Sequence, residues 1–162
     1  MNDPLTQLLS GKVKPGIYRF ASHVSNEHLC AGVDKAGWLC YPVDGAKVSD
    51  KAAFLGAFAA SLHFPSYFGH NWDAFEECLR DLSWDHAEDA KGILILYIDV
   101  DRFAKAHPKD WGMARDILKS VIAVWHKSSR PMIVLLRGDA TAAVDAPELY
   151  TNLDANSGAS LR

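Results

Sequence analysis

The run GILILYIDV at residues 92–100 restricts the fold more than any other stretch of the chain. Isoleucine and leucine follow one another with no polar residue before Asp99, so a strand made from it has no face to turn to water. A strand buried on both faces belongs in a parallel sheet with layers packed above and below. Two shorter apolar runs, residues 37–43 (GWLCYPV) and 132–136 (MIVLL), supply its neighbours. Pro42 suggests that the first of these ends or bulges near that residue.

Helical patterns lie between the runs. Phe54, Leu55, Phe58 and Leu62 form one buried stripe behind Ser49 or Asp50 as cap. Trp111, Ala114, Ile117, Leu118, Val121, Ile122 and Trp125 keep helical spacing over residues 110–127. Strand, helices, strand, helix, strand is the order of an α/β layer with parallel pairings and right-handed crossovers. Residues 16–20 (GIYRF) are expected to add a strand at the sheet edge, after a short helix over 3–10 that places Leu5, Leu8 and Leu9 on one face. Residues 22–37 read as polar and irregular, and the tail is expected to hold one helix near 147–153.

A chain of 162 residues suggests one domain with a real core. Its net charge of −3 is mild, but the local charge is not. From Asp73 to Asp89 there are seven acids (Asp73, Glu76, Glu77, Asp81, Asp85, Glu88, Asp89) against one base, Arg80. A nucleic-acid binder has the opposite patch, so a basic protein partner fits better. No run is long enough for a membrane helix, and MNDPLTQLLSGK lacks the basic start and long apolar core of a secretory signal. Cys30, Cys40 and Cys78 are odd in number and lack metal-ligand spacing, which reads as reduced core thiols in a cytoplasmic protein.

The acids follow an aromatic turn. In FPSYFGHNWDAFEECLRDL, residues 64–82, Pro65 and Gly69 mark the turn and Asn71 stands at a helix N-cap. Trp72, Phe75, Leu79 and Leu82 then make an apolar stripe, while Asp73, Glu76, Glu77, Arg80 and Asp81 share the opposite face. By charge alone that face is an ordinary solvated surface. Tyr67, Phe68 and Trp72 beside it point instead to an interface, because rings next to charges are how interfaces anchor.

PSYFGHNWDAFEECL resembles the signature of the barstar family, small intracellular inhibitors of secreted ribonucleases, with Pro65, Tyr67, Phe68, Gly69, Asn71, Trp72, Asp73, Ala74, Phe75 and Cys78 matching as they stand. The resemblance covers roughly residues 38–137, leaving residues 1–37 as an N-terminal extension and 138–162 as a tail. It implies a barstar-like α/β fold: a small parallel sheet of three core strands with helices packed on it. The expected N-terminal strand adds to that sheet. It also implies a ribonuclease as partner, barnase-like or another toxin nuclease, met through Tyr67, Phe68, Gly69, Asn71, Trp72, Asp73, Glu76, Glu77, Arg80 and Asp81. The acid roles fall to Asp73 and Glu77 and the aromatic contact to Tyr67. Glu76 stands where the family's best-known member has a ring, and Glu77 replaces a shorter aspartate. A binding module of the same fold with an immunity or regulatory role, whose partner is not a ribonuclease, is the second reading.

Catalysis and metal binding are not expected. Cys78 lies two helical turns from His70 and among acids, which disfavour a thiolate. Asp73 and Glu77 sit at i, i+4 with no histidine positioned to complete a metal set. No cofactor motif is present in the sequence.

Overall fold

The computed structural model describes residues 4–138 and 144–149. Strands β1 (Gly16–Arg19), β2 (Leu39–Asp44), β3 (Ile93–Ile98) and β4 (Met132–Arg137) form one sheet in the order β1-β4-β3-β2, with every pairing parallel. β3 lies inside the sheet, where its apolar run belongs: Ile93 through Tyr97 are wholly buried. Alternation divides it between two cores, with Ile93, Ile95 and Tyr97 on one face and Leu94 and Leu96 on the other. Burying each such side chain contributes roughly 1.5–3 kcal/mol.

The helices follow that division. α3 (Lys51–Ser61), α4 (Trp72–Asp81), α5 (Val100–Ala106) and α6 (Pro108–Lys127) cover the first face with Phe54, Phe58, Phe75, Leu79, Phe103 and Trp111. α1 (Pro4–Leu9) and α2 (Asn26–Lys35) cover the second with Leu8, Leu29 and Val33, joined by Trp38. Gly92 leaves room for the Trp38 ring: a Cβ there would lie 2.6 Å from it. Asp50 caps α3, its Oδ1 accepting from Ala53 N at 2.8 Å.

Three local expectations need correction. Residues 22–37 are not irregular, because α2 occupies most of them, capped by Ser25 Oγ accepting from His28 N at 3.1 Å. Only Leu29 and Val33 of that helix are buried, a stripe too thin to stand out of a polar sequence. Pro42 makes no bulge in β2, which ends two residues later at Asp44. Leu39 N donates to Gly92 O, so Tyr41 and Val43 also aim their backbone at β3, and the missing N–H of Pro42 faces the open edge. In the tail, Arg19 N donates to Pro147 O and Leu149 N to Arg19 O, each at 2.8 Å, so residues 147–149 run extended along β1. The remainder of the helix expected at 147–153 lies outside the described residues.

The cysteines also differ from expectation. Cys30 on α2 and Cys40 on β2 have Cα atoms 5.5 Å apart and are joined as a disulfide, while Cys78 is free and buried. An odd count says nothing of which two cysteines meet, and it is α2 folding back on β2 that brings this pair together. Reduced cysteines therefore no longer support a cytoplasmic setting. Closing so short a loop should stabilise the fold by about 2–3 kcal/mol. Denaturant midpoints with and without reductant test this, and equal midpoints would show that the link contributes nothing. Among the described residues no helix is long and apolar enough to cross a membrane.

Candidate functional site

The acidic helix α4 is held rigidly at both ends and from behind. At its start Asn71 is extended (φ −138°, ψ 170°), and its Oδ1 accepts from Ala74 N at 2.8 Å. Its Nδ2 donates back to Gly69 O at 3.2 Å, and a Cβ on Gly69 would come within 3.1 Å of that amide nitrogen. The turn is thus fitted to the cap. At its end Leu82 is left-handed (φ 48°) and completely buried, stopping the helix. Behind it Phe75, Cys78 and Leu79 are buried, and Trp125 Nε1 on α6 donates to Leu79 O at 2.9 Å. Losing the cap should cost about 1 kcal/mol in Asn71→Ala. A chemical-denaturation midpoint unchanged within error would refute that role.

The expected interface residues divide into three groups. Tyr67 is 75 % exposed and stands free of the turn. Gly69, Asp73, Glu77, Arg80 and Asp81 are exposed with it, as is the backbone-fixing Asn71. Phe68 is buried, its ring 5.0 Å from that of Phe64 and 4.7 Å from that of His70, so it supports the turn from below. Trp72 is half-buried against Phe54 and Phe75, and Lys51 Nζ lies 5.3 Å above its ring. Glu76 leans to the side: Ser120 Oγ on α6 donates to its Oε2 at 3.3 Å, and Arg80 Nη1 lies 4.0 Å from the same oxygen.

Glu77 and Asp81 line a cleft of about 170 Å³ between α4 and the Tyr67 turn, with Phe68, Ala74 and Cys78 also in its wall. Tyr67 itself lines the cleft from the turn. Two carboxylates a helical turn apart beside an exposed ring can hold a cation by charged hydrogen bonds and ring stacking. The cleft disfavours a thiolate at Cys78. Burial raises the pKa of the Cys78 thiol, and the Asp81 and Glu77 carboxylates raise it further, all favouring the neutral form.

Sequence reasoning missed a polar clamp beside α4. Tyr41 Oη donates to Asp85 Oδ2 at 2.9 Å, and His63 Nδ1 lies 2.8 Å from the same oxygen. Burial, then the hydrogen bond to Asp85, raises the pKa of the Tyr41 hydroxyl. Together with Trp84 Nε1 donating to Leu62 O at 2.9 Å, the clamp ties the turn after α4 to β2 and the end of α3. No sequence pattern announces it, since the partners lie 44 and 22 residues apart. Trp84 is therefore a strut for that turn. Elsewhere His86, Glu88 and Asp89 place ligand atoms within 4.8 Å of one another, all on exposed side chains.

Comparison with solved structures relates the fold to that of the Aeropyrum pernix ORC2 protein in its ADPNP-ADP complexes, with a TM-score of 0.55 at 11% sequence identity. The match covers 87% of this chain but 39% of that one, and at such identity it is a likeness of fold alone. Comparison with curated protein sequences gives no match. The sequence profile of the family described as Barstar (barnase inhibitor) matches residues 38–137, which hold β2 to β4, the acidic helix and its aromatic turn. The chain belongs to the barstar family.

Proposed function

We propose that this protein binds and blocks a ribonuclease, seating α4 and the Tyr67 turn in the enzyme's phosphate-binding cleft. The observation that carries this reading is the placement of Glu77 and Asp81 along a cleft that an exposed tyrosine also lines. Asp73 continues the same line at the start of the helix. Carboxylates on a rigid helix can stand in for phosphates against arginine, lysine and histidine, through charge-assisted hydrogen bonds.

The energetics of the free protein point the same way. Asp73, Glu77 and Asp81 follow one another at i, i+4, which disfavours the helix by a few tenths of a kcal/mol per pair. Asp73 is offset by its place in the first turn of α4, but Asp81 stands in the last turn, the negative end of the helix dipole. A surface serving stability alone would not place it there. A cationic partner reverses the sign.

Residues 38–137 carry this activity in our reading, with residues 1–37 and 138–162 as additions to it. The cytoplasm of the producing cell as its place of action rests on the family resemblance alone, because the Cys30–Cys40 disulfide withdraws the support of reduced thiols. A binding module whose partner is a different toxin is favoured by one observation: Arg80 stands exposed on the same face. Capture of a basic protein on the immobilised full chain, followed by an RNA-cleavage assay of that protein, separates the two. Stoichiometric loss of cleavage is the expected result. Tight capture of a protein that cleaves no RNA supports the other module, and failure to retain any basic protein overturns both.

A further inference from the structure

We propose that a cavity between the C-terminal half of α6 and the segment entering β1, sharing no lining residue with the α4 cleft, binds a small apolar anion. Such a ligand carries one carboxylate or phosphate on a short hydrocarbon or aromatic body. The cavity measures about 280 Å³, and Pro15, Gly16, Ile122 and Ala123 are the apolar part of its lining. Lys14, Lys119 and His126 complete the lining. Nearly all of the wall is apolar, so the lysines contribute chiefly their stems and keep their ammonium groups at the mouth.

The cavity follows from how α6 is built. Lys119, Ile122, Ala123 and His126 recur at i, i+3, i+4 and i+7, so one helix face supplies both apolar lining and part of the basic rim. β1 has four residues where the other strands have six, and the chain entering it through Pro15 and Gly16 supplies no large side chain to fill the space.

Charge supplies the second, independent observation. No carboxylate is among the lining residues. The ion pairs formed by the described residues engage arginines and one histidine and no lysine, so Lys14 and Lys119, like the other lysines, keep their charge for a ligand. In a chain of net charge −3, two lysines at one apolar cavity with no carboxylate among its lining residues favour a negative ligand. The volume lies near the lower limit of ligand pockets, roughly 300–1,000 Å³, and so calls for a small body.

Octanoate is a suitable probe, titrated into the isotope-labelled full chain while backbone amide shifts are followed. Saturable shifts confined to the surroundings of Gly16, Ile122 and Ala123 are expected. Octanol should bind about tenfold more weakly, the size of one charged hydrogen bond, and inorganic phosphate alone should produce no saturable shift. Ala123→Trp, which fills the cavity from an exposed helix position, should abolish the shifts. Lys119→Glu, a surface change that keeps the helix, should weaken octanoate by about tenfold and octanol little. Three results overturn the proposal: no saturable shift at millimolar octanoate, shifts that survive both substitutions, or octanol binding as tightly as octanoate.

Discussion

Replacing Phe54 by alanine is expected to destabilise the protein by about 3–5 kcal/mol, the range for truncating a buried phenylalanine. Phe54 on α3 is wholly buried, and its ring meets five others. Centroid distances are 4.6 Å to Phe58, 4.8 Å to Phe103, 5.5 Å to Phe75, 5.7 Å to Tyr97 and 5.8 Å to Trp72. Those partners come from α3, α4, α5 and β3, so one side chain joins the acidic helix to the sheet. Truncation loses the transfer free energy of the ring and leaves a cavity among aromatic neighbours that are too rigid to collapse into it. Natural domains have only about 5–15 kcal/mol in total, so the loss is a large share. The measurement is the shift in denaturant midpoint at unchanged slope. A loss below about 1 kcal/mol would mean that the neighbours repack freely and that the cluster does not brace α4.

The second large effect is on binding. The double variant Asp73→Ala/Glu77→Ala is expected to weaken binding of the captured ribonuclease by about 4 kcal/mol, roughly a thousandfold, if each acid reaches the hot-spot threshold of about 2 kcal/mol. That threshold rests on other complexes, a barstar complex among them, and is a general magnitude rather than one obtained from this chain. Both side chains are exposed in the free protein. Its own stability should therefore change by no more than about 0.5 kcal/mol. Affinity should also fall as salt rises, because part of the attraction acts at long range. Titration calorimetry of the wild type, both single variants and the double variant at two salt concentrations, with denaturant unfolding of each, checks these points. Variants that bind like the wild type but unfold more easily would mark the face as structural, and the inhibitor reading would lose its main residues.

The residues behind these effects differ in how legible they are. Asp73, Glu77, the Asn71 cap and the apolar stripe of α4 can all be read along one helix, because helical spacing is a local property. β3 is legible for a similar reason: a strand buried on both faces must be apolar throughout. Two of the expected interface residues change meaning once packed. Phe68 is drawn under the turn by Phe64 and His70, and Glu76 is turned aside by Ser120 on α6. Neither displacement is visible in residues 64–82 alone, because each is decided by an atom from another element or by the path of the turn.

Local patterning along the chain is enough for the parallel α/β layer, the three long strands, the capped acidic helix and the family signature on it. Which residues meet across long separations depends on packing. Packing joins Cys30 to Cys40, sets Tyr41 and His63 on one oxygen of Asp85, and opens a basic-rimmed cavity between α6 and the entry to β1. The division reflects the range of the forces that act. Propensity, capping and hydrophobic period act within a few residues, whereas a disulfide, a polar clamp and a cavity exist only once whole layers have packed against one another.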